Sequence, residues 1–510
     1  MKAKKLTTAL LSVCLLAGSI PAAMPAAALD PLLYGDINSD NFVDVKDAVL
    51  LSRIVGGDST LNTVTLNMDC ADVTGDGKQT PEDLTLMLRY LARLTKSLGP
   101  NLSFRNETQC LTDGVSKETA ETVELSDEFK MSQYTLAANL FQSAMKENKN
   151  MDNLMLSPTS VALALGMTAN GAKGETLREM EQVIGGGIGI DDLNRYFYSF
   201  TQQLKNTENT SLSSANSLWV RDDPERILVP ESFLRRAVTF YDAESYLSAF
   251  DHQTAEEINH WVSDKTHQMI DGIFNLDEPE PIPDLAAMYL INALAFEAKW
   301  TSPYTTDQIH ITQFTCPDQN TILDTAMASE EYTYLESDNA TGFIKPYKDG
   351  HYSFAAILPN EDVSITDYIA SLDGKAIADL LGSRKEELVR TKIPQFKFAY
   401  SIELKDTLKA LGMETAFTDA ADLSGLNEAP LGKHISGVLH KTFISLDSAG
   451  TRAGAVTVVE ISDNAMPQEA KEVDLNRPFV FMILDEESDL PVFIGAVTKP
   501  TEVVPEIAEE

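Results

Sequence analysis

Twelve residues beginning at Asp36 are echoed by twelve beginning at Asp72, and each set runs into an apolar helical pattern. The first loop is Asp36-Ile-Asn38-Ser-Asp40-Asn-Phe42-Val-Asp44-Val-Lys-Asp47 and the second is Asp72-Val-Thr74-Gly-Asp76-Gly-Lys78-Gln-Thr80-Pro-Glu-Asp83. Side-chain oxygens recur at positions 1, 3, 5, 9 and 12, and the carbonyls of Phe42 and Lys78 are available at position 7. Calcium takes six to eight hard oxygen ligands at about 2.4 Å, and a twelve-residue turn with this spacing directs them to one point. Acidic turns of this kind are common singly. A repeated unit of loop plus helix (Ala48–Ile54, then Leu84–Leu94) is what points to two calcium sites.

Aspartate at position 12, in Asp47 and Asp83, and a duplication of about 60 residues give residues 34–94 a resemblance to dockerin modules. The resemblance implies a small all-α module with two calcium loops that binds a cohesin module of a scaffolding protein, in a cellulosome-like complex. Asn41 stands where the sharp turn has glycine, and asparagine tolerates the left-handed conformation. Thr74 and Thr80 are weaker ligands than Asp or Asn, so the second site is expected to hold calcium less tightly.

The start of the chain reads as an export signal over residues 1–28. Lys2, Lys4 and Lys5 precede an apolar run from Leu6 to Ile20 and small residues from Ala22 to Ala28. That run is shorter than the roughly 20 residues a membrane helix needs, so no membrane partner is expected. Cys14 is expected to leave with the signal, which leaves Cys70, Cys110 and Cys316 without metal-ligand spacing. A Cys70–Cys110 disulfide and free thiols both remain open. The formal net charge of −37 argues against nucleic acid, whose phosphates require clustered Lys and Arg.

Residues 95–125 are rich in Ser, Thr, Asn, Glu and Gly and read as an exposed linker, and 502–510 as an acidic tail. Between them, 126–501 forms one dense block. Helical periodicity runs through Phe129–Lys146 and Thr176–Ile184, and strand patterns fall at Ser353–Leu358, Lys441–Leu446, Phe479–Leu484 and Val492–Val497. Helices early and strands late predict a segregated α+β domain.

Within that block, His440–Asp447 reads as a buried strand that ends at Ser448-Ala449-Gly450. In the next segment every second residue (Thr451, Ala453, Ala455, Thr457, Val459, Ile461) is small or apolar, while Arg452, Gly454, Val456, Val458 and Glu460 occupy the other side. Such a strand can enter a packed sheet with its small face inward. An edge strand would alternate in the same way. Ser462–Asp474 reads as an exposed loop.

This region resembles the reactive-centre loop of serpins: Gly450, Thr451, Ala453, Ala455 and Thr457 match the hinge of inhibitory members. Asn476-Arg-Pro-Phe479 and Phe493-Ile-Gly495 match the closing strands, Asn153–Ser160 the segment under the sheet opening, and Asn170–Thr176 the turn after it. Asn292–Trp300, Leu408–Leu426 and His440-Lys441 complete a resemblance spanning about 127–501. It implies the serpin fold, a large central mixed β-sheet with surrounding helices and an exposed loop. No enzyme activity and no cofactor in this domain follow from it. Ser448 replaces the usual Glu, Arg452 replaces another, and the stretch from Gly450 to Pro478 is about three residues longer than in familiar members.

The resemblance implies a suicide inhibitor of serine proteases: the loop is cut, an acyl-enzyme forms, and the segment from Thr451 inserts into the sheet. Ser157, Ser160, Asn292 and His440 are expected to form a polar cluster where the sheet opens, with Trp300 packed near the insertion point. Counting from Gly450 gives cleavage after Asn464, and the longer loop favours Ala465–Met466 slightly over Asn464–Ala465. Pro467 disfavours a cut after Met466. With no Lys or Arg in this window, elastase-like or subtilisin-like targets are expected rather than trypsin-like ones. Two rivals remain: a serpin fold serving only as a binding module, and a dockerin-borne hydrolase. The chain lacks the G-x-S-x-G and H-E-x-x-H motifs that would support the latter.

Overall fold

A computed structural model of the chain describes residues 34–38, 43, 45–58, 60–61, 66–68, 70–74, 78–91, 108–222, 229–278, 280–283, 286–426, 434–451 and 470–500. It divides into two compact units, residues 1–105 and 106–510.

In the first unit, helices Val45–Val55 and Pro81–Leu91 pack on a core of Ile37, Ala48, Leu51, Ala71, Val73 and Met87. Both follow the duplicated loops, with acidic residues in their first turns where the helix dipole favours them. Six buried apolar side chains make a thin core for a unit of this length.

In the second unit, two sheets enclose the main core. The seven-stranded sheet runs in the order Gln109–Cys110, Glu244–Ser248, Thr210–Arg221, Met288–Lys299, Gly450–Thr451, Gly437–Leu446, Phe396–Glu403. The nine-stranded sheet contains Thr321–Glu336, Tyr352–Pro359, Phe479–Asp485 and Pro491–Val497 among its strands. Helix Pro158–Ala169 lies beneath the first sheet and is buried along its whole length, which is why its sequence (PTSVALALGMTA) has almost no polar face. Ser157 caps it, accepting a hydrogen bond from the Ser160 amide at 3.2 Å. Helix Asp127–Glu147 is capped in the same manner by Ser126. Among the described residues no helix is long and apolar enough to cross a membrane.

Two segments depart from the sequence reading. Residues 108–125 were expected as linker, yet Gln109–Cys110 adds an edge strand against Tyr246 and Leu247. Beyond it the Glu118 amide bonds Thr239, the Val123 amide bonds Ser199, and Lys117 pairs with Asp242 at 2.6 Å. Backbone donors finding partners, rather than any hydrophobic period, hold this stretch. Lys471–Asp474, read as part of an exposed loop, is a short strand parallel to Lys385–Pro394; four residues, three of them charged, carry no readable alternation. Within the second unit Cys110 and Cys316 are free thiols.

Candidate functional site

The centre of the seven-stranded sheet is a seam. Gly437–Phe443 pairs directly with Tyr289–Ala295 in parallel register. Above Ala295 the two strands part, and Gly450–Thr451 enters between them, pairing with Lys299 and Ala298 on one side and with Leu446 on the other. Gly450 is required there: a Cβ would lie 2.1 Å from the Ala298 carbonyl oxygen. Thr451 is fully buried and its hydroxyl is 2.7 Å from the Tyr347 phenol. Burial pushes that phenol's pKa up, so it stays a neutral hydrogen-bonding group.

Trp300 holds the foot of the hinge. Its amide donates to the Ala449 carbonyl and its indole to the Asp447 carbonyl, both at 3.0 Å, while the ring stacks on Tyr347 at 4.5 Å. The Tyr304 amide donates to the Ser448 carbonyl at 2.8 Å. Behind Trp300 and Tyr304 lies a buried ion pair, Lys345 with Glu331 at 2.6 Å, the ammonium 4.5 Å from the Tyr304 ring centre. Burial opposes the Lys345 charge, but Tyr304 and Glu331 outweigh it and hold its pKa above the usual lysine value.

Lower on the seam a second group of polar side chains bridges the two strands. His440 Nδ1 and Asn292 Oδ1 are 2.7 Å apart across them, and His440 Nε2 accepts from the Ser157 amide at 3.0 Å. Nε2 is therefore unprotonated and Nδ1 carries the hydrogen. Burial lowers the imidazole pKa to about 3, so the ring is neutral. The Asn292 amide donates to the Ser160 carbonyl at 2.7 Å and to Asn216 Oδ1, and Thr442 donates to the Met155 carbonyl at 2.7 Å. The Ser160 hydroxyl is buried without a hydrogen-bond partner.

In the first unit, the two position-12 carboxylates are fully buried and fold back over their loops. Asp47 Oδ1 accepts from the Ile37 and Asn38 amides at 2.9 and 3.2 Å. Asp83 Oδ1 accepts from the Thr74 amide at 2.9 Å, and Oδ2 from the Thr80 amide at 2.6 Å. Asp36, Asn38, Asp72, Thr74, Lys78 and Thr80 lie around these carboxylates in the loops, while Asp40, Phe42, Asp44 and Asp76 fall outside the described residues. Among the described residues no three acidic, His or Cys side chains form a metal cluster. The donor set still fits calcium: buried carboxylate oxygen recurs at the closing position of both loops, and oxygen is the only donor type in them.

A family model described as serpin (serine protease inhibitor) matches residues 131–500. The chain belongs to the serpin family. Residues 34–92 match the model of the dockerin type I domain. An uncharacterised serpin-like protein of Thermococcus kodakarensis is 31% identical over 361 residues, covering 69% of this chain and 82% of that protein. Among solved structures, the thermophilic serpin Tengpin in its native state is 41% identical, with a TM-score of 0.72, over 77% of this chain and 99% of that one. Tengpin in its latent state, also 41% identical, has a TM-score of 0.65 over 75% and 100%. The family is one of protease inhibitors rather than enzymes.

In this serpin the four residues expected in the polar cluster converge: Ser157, Ser160, Asn292 and His440. Trp300, expected near the insertion point, lies eight residues farther along from Asn292, about 27 Å at 3.4 Å per residue, bonded to the carbonyls of Asp447 and Ala449. Gly450 and Thr451 already stand in the sheet, whereas entry of the segment from Thr451 was expected only on cleavage; Ala453, Ala455 and Thr457, and the reactive-site residues Asn464, Ala465 and Met466, lie outside the described residues. Sequence reasoning missed Asn216, Thr442, Tyr304, Lys345, Glu331 and Tyr347. A lysine embedded in the strand Ala340–Pro346, between Ile344 and Pro346, was the one visible signal, since a charge there needs a buried partner.

Proposed function

We propose that this chain is a secreted inhibitory serpin that traps serine proteases by inserting its cleaved loop into the seven-stranded sheet. We further propose that its dockerin, loaded with calcium at two sites, carries it to a cohesin-bearing extracellular complex of cellulosome type. The observation that supports inhibition best is the seam: strands Met288–Lys299 and Gly437–Leu446 are paired below and parted above by only two residues of the loop.

Carrying that register onward predicts what insertion does. Ala453 would lie between Phe296 and Ile444, Ala455 between Leu294 and Thr442, and Thr457 between Asn292 and His440. The first two positions face the core cluster that contains Leu294, Phe296 and Ile444, where only a small side chain fits between packed neighbours. At the third, the Thr457 hydroxyl would replace the His440–Asn292 hydrogen bond, so the polar groups uncovered by opening are satisfied again on closing. On the opposite face Arg452 would lie beside Glu297, which makes its departure from the family's glutamate favourable in this sheet.

The chemistry begins with the protease. Its serine attacks the carbonyl of Ala465, or of Asn464, the peptide bond breaks, and an ester joins enzyme and loop. Insertion of about 15 residues at about 3.3 Å each carries the ester some 50 Å before water can cleave it. Small residues around the bond favour elastase-like or subtilisin-like enzymes. The test is to mix the chain with a panel of serine proteases and look for a complex stable in SDS, then locate the bond from the mass of the released peptide. A loop that is cut with no complex formed would make the chain a substrate, and the inhibitory reading would fall. The docking half is tested separately, by calcium-dependent retention on immobilised cohesin.

A further inference from the structure

We propose that Glu244 is a positioning residue that sets how fast a strand enters the seam, by fastening the cover on the seam's outer face; this rests on the inhibitory reading above. His440, Asn292 and Thr442 point to one face of the seam. On the opposite face Ile291 and Ala293 alternate with Asn292, and one apolar cluster joins them to Leu439 and Phe443 of the facing strand. Helix His252–Lys265 lies on that cluster through Ala255, Ile258 and Val262, a single stripe at helical spacing. Ile270, Ile273 and Phe274, in the segment leaving the helix, extend the cover. Asn259 ties that segment back to the helix, its Oδ1 accepting from the Ile273 and Phe274 amides at 2.7 and 2.9 Å.

The cover thus rests on both strands of the seam at once. A strand entering between them moves them apart by one strand spacing, about 4.8 Å, so the cover has to release one side. On the Gly437–Leu446 side, Lys441 Nζ donates to the Gly272 carbonyl. On the other side the fastening reaches out to the flank of the sheet. Glu244, on strand Glu244–Ser248, uses both carboxylate oxygens there: Oε2 accepts from the Trp261 indole and the Tyr246 hydroxyl, each at 2.6 Å, and Oε1 from the Lys265 ammonium at 2.7 Å. Bonds to an ionised carboxylate are the strong ones. The chain leaves the helix two residues after Lys265 through His267 and Gln268, whose φ angles of 50° and 60° are ones that side chains rarely adopt. Such a turn persists only where its surroundings fix it, and Glu244 grips the helix end beside it.

The test uses the full chain with calcium and, as the entering strand, a synthetic peptide of residues 451–464, with uptake read as a species of raised melting temperature. Glu244→Gln should take up the peptide about fivefold faster, the effect of losing a half-exposed ion pair. Lys265→Met, at a side chain 41% exposed, should match it. The double variant should be no faster than either single one, because both break the same fastening. Glu256→Gln makes the same charge change on the same helix, where the carboxylate lies 3.4 Å from His252, and should leave the rate as it is. One uptake rate in wild type, Glu244→Gln and Lys265→Met overturns the proposal and leaves the inhibitory reading standing; additive gains in the double variant also overturn it. A wild-type chain that takes up no peptide removes the inhibitory reading and this fastening's role with it.

Discussion

The two units of this chain reach stability by opposite routes. Among its described residues the dockerin has six side chains in its apolar core and two buried aspartates at the closing positions of its loops. So thin a core is expected to draw its folding energy from bound metal. The serpin unit packs apolar clusters on both faces of its seven-stranded sheet, whose two central strands pair directly below and are parted above by only two residues. On the inhibitory reading its surplus is internal and would be released when a strand enters. One unit would then be completed by an ion, the other by its own loop.

Calcium removal should break the comparison most sharply. Chelation should unfold the first unit nearly completely, since metal binding is folding energy in such modules, while the serpin unit keeps its melting transition. Circular dichroism of the full chain, with and without chelator, reads both; loss of both transitions together would deny the units their independence. Asp47→Ala with Asp83→Ala should reproduce the chelated state in the presence of calcium.

Next in size is the hinge. Thr451→Arg or Ala453→Arg should convert inhibitor to substrate, raising the number of inhibitor molecules consumed per protease at least tenfold. An unpaired charge taken into the sheet costs several kcal/mol, and deacylation then outruns insertion. Arg452→Glu, which would come to face Glu297 on insertion, should slow inhibition only a few-fold. Complex yields on gels that match wild type for the inward variants would end the insertion argument.

The seam should also be sensitive to acid. The folded pKa of His440, about 3, lies below its ordinary 6.5 because the ring is buried. Its contribution is present above pH 6.5 and is lost as pH falls toward 3, because the unfolded chain binds a proton the folded one rejects. Melting temperature should drop by several degrees between pH 6.5 and 4, and His440→Asn should flatten that slope while lowering stability at neutral pH.

A smaller effect has the opposite sign. Burial pushes the Asp324 carboxyl up to about 7, against the hydrogen bond from the Thr325 amide, and its Oδ2 has no partner. This group favours folding below the ordinary carboxylate range, and the contribution is lost as pH rises through 7. Asp324→Asn should raise the melting temperature by a few degrees at pH 8 and change little at pH 4.

What could be read from the sequence was what is local in it. The acidic loops repeat within 50 residues, and the alternation of the hinge lies within one short stretch of sequence. Ser157, Asn292 and His440 were found through family resemblance, because no pattern in the chain links positions so far apart. Asn216 and Thr442 completed their group only once the strands stood side by side. The Tyr347–Thr451 contact joins residues 104 positions apart, and nothing in either neighbourhood marks it. The short strand Gln109–Cys110 was hidden because two residues have no period; it exists only as the partner of a longer one.

The glycine at 450 has a consequence for timing. Pressed against Ala298 where no side chain fits, it would fix the origin from which an inserting loop is measured, so on the inhibitory reading the chain would work as a ruler. Strand Met288–Lys299 would offer partners for residues 450–461 if the register of Gly450 and Thr451 continued on insertion, and everything between Ile461 and the acylated residue would then run past its far end as slack. Each residue of slack relaxes the pull on the trapped enzyme by about 3.4 Å. The lifetime of the complex is thereby written in the residue count between Gly450 and the cut, and shortening Ser462–Asn464 by one residue at a time should lengthen it.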